Sequence, residues 1–428
     1  MEFKKAFAVL ATGVLAAGLF AGCSANKEEE KTNPKKSEQT AELKPEKGAE
    51  LVLWDNGGAE GKWAKLVAKE FEAKYNVKVK YVESNHDKAS EKIEAAGPAG
   101  KGPDVFLAPH DHVGNMENAG LIFPNKLGGD YKKRFVDAAV QGTTGKNDMY
   151  GFPLAVETYA LFYNKDLVKT PAKTMDELIK QAKDFQQLSG KNKKFGLMFE
   201  PGNFYTTYAF VGAYGGYVFG DNGHDAKDVG INSKGSIKAG SLLKTIHDEI
   251  LPLKKEDITG DMIGALFNEG KVMYRISGPW DIKNHQDAKV NFGVTTLPKL
   301  DNGKVPTSFS GVKAYYVSSF TKYPKAATLL AQFASSDEML MKRYEMTGQL
   351  PASKALLDSD TIKKDDILAG FSKQLKYAVP MPNIAEMQQV WTPAGDAFTA
   401  IWNGQATPKK ALNNAQKQIE DSIKNQQK

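Results

Sequence analysis

The feature that most constrains this chain is a regular alternation of short apolar runs and amphipathic stretches that begins at Glu50. Glu50 to Trp54 reads as a short buried strand ending at the turn Asp55-Asn56-Gly57-Gly58. Trp63, Leu66, Val67, Phe71 and Tyr75 then recur at spacings of three and four, which places them on one helix face. Val77 to Glu83 alternates valine with lysine, the period of a strand. A helical stretch over Asp87 to Ala96 runs into the breaker segment Gly97 to Pro103, and Asp104 to Leu107 is a further short apolar strand. Strand, helix, strand, helix, strand predicts a parallel sheet joined by right-handed crossovers.

The pattern returns later. Thr174-Met175-Asp176-Glu177 is a capping box opening a helix that turns Leu178, Ile179, Ala182 and Phe185 inward. Ser335-Ser336-Asp337-Glu338 starts another. Thr407 to Gln427 carries a thin apolar stripe of Ala411, Ala415, Ile419 and Ile423, and Asn302-Gly303 predicts a hairpin turn. With 428 residues the chain is too long for one simple core, so two lobes are expected. The net charge of +6 comes almost wholly from dispersed lysine, with arginine only at 134, 275 and 343. Nucleic-acid sites favour clustered basic residues and arginine forks, so no nucleic-acid partner is expected.

The chain holds one cysteine, which excludes an internal disulfide and a Cys-rich metal site. It lies behind Lys4-Lys5, the uncharged apolar run Ala6 to Phe20 and the small pair Ala21-Gly22. That run is too short to span a bilayer, which takes about 20 residues, but it has the length and flanks of a secretory signal. Residues 1–22 resemble a bacterial lipoprotein signal peptide, with Cys23 as the lipidated residue and Phe20 where leucine is usual. Residues 24–48 hold six lysines and six glutamates with few apolar side chains, and are expected to form a disordered tether.

Enzyme signatures are absent: no Gly-x-Ser-x-Gly, no phosphate-binding loop, no Gly-x-Gly-x-x-Gly, no His-Glu-x-x-His. His110-Asp111-His112 is the one histidine cluster and lacks an evident third ligand, so no metal and no cofactor are expected. Tryptophan in polar loops is more informative. Trp280 lies in Ser277-Gly278-Pro279-Trp280-Asp281, Trp391 follows Met381-Pro382-Asn383-Ile384, and Tyr205 lies in a Gly/Asn/Tyr-rich stretch. A sugar presents a C–H face and a hydroxyl edge, so its site needs flat aromatic rings and carboxylates or amides. Trp63 and Trp402 read as core; Trp280 and Trp391 read equally well as core or as platforms.

Several segments carry a resemblance in order along residues 50–425. They include Glu50 to Trp54, Gly102-Pro103-Asp104-Val105, Ala108-Pro109-His110-Asp111, Phe152 to Glu157, Tyr163 to Leu167, Ser277 to Trp280, Gly293 to Pro298, and Met381 to Ile384 with Trp391. Together they resemble the maltose/maltodextrin-binding branch of the extracytoplasmic solute-binding proteins. The resemblance implies an α/β, two-lobed periplasmic-binding-protein fold of type II, with parallel-type sheets flanked by helices and a hinged cleft. It implies an N-terminal lobe over 49–156 completed by about 312–362, and a C-terminal lobe over 157–311 completed by about 363–428. It also implies a monomer that binds maltose or maltodextrins outside the cell and hands them to the permease of an ABC importer, with no chemistry. By motif position the sugar-binding residues would be Trp280, Trp391, Tyr205, Glu157, Asp111, Asn56, Glu60, His112 and Met381. Ala108 stands where the family has an aromatic, His112 where arginine is common, and Gly58-Ala59 where an Asp-Lys pair is usual. These departures shift the expected preference toward longer maltodextrins, or move the lost contacts elsewhere. Two alternatives stand beside this reading: a receptor for another oligosaccharide, and a secreted glycoside hydrolase using Asp111 and Glu157.

Overall fold

A computed structural model describes residues 43–426; the signal segment, Cys23 and the tether up to residue 42 lie outside the described residues. The strands are β1 (Glu50–Asp55), β2 (Lys78–Glu83), β3 (Val105–Pro109), β4 (Phe152–Thr158), β5 (Ala160–Asn164), β6 (Phe195–Met198), β7 (Asp225–Val229), β8 (Val272–Ser277), β9 (Phe292–Thr295), β10 (Phe309–Val317), β11 (Leu350–Pro351) and β12 (Val379–Pro380). All but β7, which makes only isolated bridges to residues 219 and 220, build two sheets flanked by helices. The larger has the order β11-β4-β10-β3-β1-β2, with β12 added on β10, and the smaller the order β6-β8-β5-β9.

β1 pairs in parallel with both β2 and β3, as the alternation predicts. The sheets as wholes are mixed, however. β10 runs antiparallel to β3 and β4, and β5 runs antiparallel to β8 and β9. The crossover rule governs strands joined by a helix in one sheet; β10 instead enters from the other sheet, so nothing obliges it to run parallel. The chain leaves the larger sheet at Thr158, enters the smaller at Ala160, and returns between Thr295 and Phe309. Asn302-Gly303 makes a tight turn in this returning segment, where the Gly303 N–H reaches Leu300 O at 2.9 Å. The Leu300 N–H reaches Lys304 O at 2.9 Å across the same turn, but no strands flank it.

The helices form where their caps and stripes direct them. The Gly58–Tyr75 helix buries Trp63, Val67 and Phe71, and ends on Asn76 in the left-handed region at φ 54°. Thr174 and Glu177 make both bonds of the capping box, and Ser336 caps the Asp337–Thr347 helix. Trp63 and Trp402 are core residues whose indole N–H groups reach the Met339 and Leu253 carbonyls at 2.9 and 2.8 Å. A buried indole N–H must find such a partner. The terminal Pro408–Gln426 helix buries Ala411, Leu412, Ala415, Ile419 and Ile423. The described residues ahead of the first strand also contact the body. Leu43 packs on the core, and the Glu46 carboxylate accepts the Lys325 and Ala326 backbone N–H groups, each at 2.9 Å, at the start of the Pro324–Ala334 helix. Residues 43–48, read above as tether, are therefore docked on the body. Among the described residues no helix is long and apolar enough to cross a membrane.

Candidate functional site

A cavity of about 800 Å³ takes its wall from both sheets and from the start of the Trp391–Trp402 helix, and all nine residues picked out by motif position line it. Asn56 follows β1, and Glu60 lies in the first turn of the Gly58–Tyr75 helix. Asp111 and His112 sit in the turn directly after β3. Glu157 comes from β4, Trp280 from the turn after β8, and Met381 from just beyond β12. Tyr205 and Trp391 each stand in the first turn of a helix, Phe204–Ala213 and Trp391–Trp402. Ala108 is wholly buried within β3 and does not reach the cavity, whereas Pro109 does.

One side of the cavity is aromatic. Trp280 is 36% exposed, enough to offer a ring face, and Trp391 is half-buried. Ring centroids run from Trp280 to Tyr205 at 6.3 Å, from Tyr205 to Phe309 at 6.2 Å, and from Phe309 to Trp391 at 6.2 Å. Trp280 folds back on Gly278, where a Cβ would lie only 2.1 Å from the indole ring. Behind it, Arg275 donates to Asp281 at 2.6 Å and to His285 Nε2 at 2.8 Å, and Ser277 also bonds Asp281. Because Nε2 accepts from an obligate donor, the His285 proton sits on Nδ1 and is donated to Asn268 Oδ1 at 2.6 Å. Burial, reinforced by the Arg275 charge, pushes the His285 pKa down to about 3.

Another part of the wall is charged. Glu60 Oε1 accepts from Lys313 Nζ at 2.9 Å, Arg343 Nη2 at 2.7 Å and Gln349 Nε2 at 2.7 Å, while Oε2 accepts from Asn56 Nδ2 at 2.5 Å. Burial alone would raise the Glu60 pKa; Lys313 and Arg343 outweigh it and hold the carboxyl well below its usual range. Glu157 responds in the other direction: burial pushes its pKa up, the charge of Glu60 adds to this, and Lys313 opposes both. Its Oε2 is buried without a hydrogen-bond partner, and so is the Tyr205 hydroxyl.

Several predicted residues are engaged by the protein itself. Asn56 Oδ1 holds the His86 backbone N–H at 3.1 Å and its Nδ1 at 3.0 Å. Asp111 Oδ2 accepts from Trp391 Nε1 at 3.0 Å and from Gln388 Nε2 at 3.1 Å. His112 Nδ1 bonds Ser90 Oγ at 2.8 Å. His110 accepts the Val312 N–H on Nδ1, so its Nε2–H donates to Met381 O at 3.0 Å. Both imidazoles of the His-Asp-His cluster are thus committed to structural bonds. No group of three potential metal ligands occurs among the described residues.

The motif reading missed Lys313, Arg275, His86, Glu200 and Gln388, all on the cavity wall. Lys313 left a readable trace, being the one charge inside the apolar run Phe309 to Val317. So did Arg275, alone in Val272 to Ile276. Glu200 closes the apolar run Phe195 to Phe199, and His86 and Gln388 lie among polar neighbours with nothing to mark them.

Known proteins agree with this architecture. The profile of the family described as bacterial extracellular solute-binding protein matches residues 67–370. The chain is 37% identical to a galactooligosaccharide-binding protein of Bacillus subtilis over 88% of this chain and 90% of that one. It is 32% identical to the maltooligosaccharide ABC transporter solute-binding lipoprotein of Streptococcus pneumoniae, over 99% of this chain and 98% of that one. Among solved structures, MalX of Streptococcus pneumoniae in complex with maltopentaose superposes with a TM-score of 0.81 at 33% identity, covering 87% of this chain and 100% of that one. Two α/β sheets, a cavity reached by both, and a match over most of the length make this chain a member of the bacterial extracellular solute-binding protein family, with its two-lobed type II binding-protein fold.

Proposed function

We propose that this protein is the maltodextrin receptor of an ABC sugar importer, anchored outside the cell by a lipid on Cys23 after removal of residues 1–22. The observation that carries the reading is the pairing, in one cavity, of an exposed tryptophan face with unpartnered polar groups. Trp280 presents its ring, while Glu157 Oε2 and the Tyr205 hydroxyl are buried without partners. That combination suits a ligand with an apolar face and a hydroxyl edge, and a charged acceptor makes the stronger hydrogen bond. Trp280, Trp391, Tyr205 and Glu157 are assigned to direct contact. Asn56, Glu60, Asp111, His112 and Met381 are assigned to the wall that holds them.

The lobes are taken as 49–156 with about 312–362, and 157–311 with about 363–428. Sugar touching both would favour the closed arrangement and shift the population toward it. The protein is taken to act as a monomer, without cofactor, metal or chemistry of its own. Asp111, one of the two carboxylates a glycosidase would need, already has an oxygen tied to Trp391 and Gln388. The similarity to a maltooligosaccharide receptor that is itself a lipoprotein supports the ligand, the importer and the anchor together.

Calorimetric titration of maltotriose into the purified body tests the ligand. Binding near the micromolar range, about −8 kcal/mol, is expected. No heat at millimolar maltotriose, with saturation by a galactotriose, would transfer the assignment to a galactooligosaccharide. That second reading is favoured by the 37% identical relative. Incubation with maltodextrin should release no reducing sugar. Cys23→Ser should move the protein from the membrane fraction to the medium.

A further inference from the structure

The cavity contains a buried cation whose donors are not all used by the contacts described so far. Lys313 is 3% exposed, in the middle of β10. Its Nζ donates to Glu60 Oε1 at 2.9 Å, but that oxygen already takes bonds from Arg343 and Gln349. One Glu60 oxygen is thus shared by Lys313, Arg343 and Gln349, and it engages only one of the Lys313 N–H donors. Glu157 Oε2 lies 3.6 Å from the same ammonium, too far for a good hydrogen bond, and has no other partner. An ammonium carries three donors. The wall thus presents spare donor capacity on Lys313 beside a spare acceptor on Glu157. The Trp280 ring centroid is 5.9 Å from Nζ, so the platform covers the same spot.

From this geometry we infer that Lys313 is a specificity-determining residue: together with Glu157 it reads two hydroxyls of the glycosyl unit that rests against Trp280. One hydroxyl accepts from the ammonium and the other donates to the carboxylate. The inference rests on the oligosaccharide reading above and adds the residue that selects among hydroxyl patterns. A site built to hydrogen-bond a hydroxyl rejects an analogue lacking it, because its buried groups are then left unpaired.

The test is calorimetry of wild type and Lys313→Met with maltotriose and a panel of its monodeoxy analogues. Wild type should bind at least one analogue more than tenfold more weakly than maltotriose. In Lys313→Met maltotriose itself should weaken more than tenfold, and the gap to that analogue should shrink below threefold. A uniform loss across all ligands, or no loss, marks a purely structural lysine and overturns the inference. Should removal of the charge prevent folding, Lys313→Arg keeps it and should reorder the analogues; an unchanged order overturns the inference equally. Wild-type protein that binds no oligosaccharide overturns the inference together with the reading beneath it. Binding by wild type with an unaltered analogue profile in the variants overturns the inference alone.

Discussion

Trp391 Nε1 donates a hydrogen bond to Asp111 Oδ2 across 3.0 Å, joining the start of a helix near the C-terminus to the turn after β3, 280 residues earlier. The same oxygen accepts from Gln388. By resemblance Asp111 would be a direct sugar acceptor; it lines the cavity and also holds the Trp391 indole N–H.

Removing that carboxylate leaves the Trp391 indole N–H without a partner, at a cost of about 1–3 kcal/mol where it stays dry, while Gln388 Nε2 keeps the Asp111 backbone carbonyl at 3.0 Å. Asp111→Ala should lower stability by about 2 kcal/mol and weaken maltotriose at least tenfold through the loosened indole. Asp111→Asn, which keeps an acceptor oxygen, should recover most of both. Urea unfolding and calorimetry measure the two effects. Unchanged affinity in the alanine variant would show that Trp391 needs no such support.

The two kinds of tryptophan should separate cleanly. Trp63 is fully buried, packed 4.5 Å beneath the Arg343 guanidinium and 5.9 Å from Tyr315. Trp63→Ala should cost about 3–5 kcal/mol of stability. Trp280 is among the most exposed large apolar side chains of the described residues, so Trp280→Ala should change stability by less than about 0.5 kcal/mol. It should nevertheless weaken sugar binding by more than about 1 kcal/mol through the lost ring contact. A Trp280 variant that binds normally would misplace the site.

This contrast also shows what was legible in the sequence. Trp63 announces itself as core by its three-and-four spacing with Val67 and Phe71, and the consecutive strands β1 to β3 follow from local period alone. Trp280 sits among Gly, Pro and Asp, where periodicity says nothing, and only position among ordered motifs drew it into the site. β10 was illegible for a different reason. Its direction and its place between β3 and β4 depend on partners about 150 to 200 residues away, and no local signal encodes them. Lys313 leaves a local trace as the one charge in that strand, but its place on the cavity wall depends on the same distant partners.

Gly278 offers a way to move the platform without removing it. Its φ of −108° suits any residue, but a Cβ would lie 2.1 Å from two atoms of the Trp280 ring. The ring borders open space and can swing aside, so Gly278→Ala should leave the melting temperature nearly unchanged. Affinity for maltotriose should fall about as far as in Trp280→Ala, and the ligand-induced change in tryptophan fluorescence should diminish. Normal affinity in this variant would mean that the platform tolerates a range of ring positions.

Acid stability should carry the signature of His285. The imidazole is wholly buried, accepts from Arg275 and donates to Asn268, so it is neutral in the fold. Burial and the adjacent guanidinium bring its pKa from 6.5 to about 3. Below pH 6.5 the unfolded chain takes up a proton that the folded site refuses until about pH 3. The folded state therefore holds its full advantage above pH 6.5 and loses it progressively as pH falls through that window. His285→Gln retains an acceptor for Arg275 and does not titrate. Its unfolding midpoint in urea should start lower at pH 7 and decline less between pH 6.5 and 4 than that of wild type. Parallel declines would assign the acid sensitivity to the carboxylates around Arg343 instead.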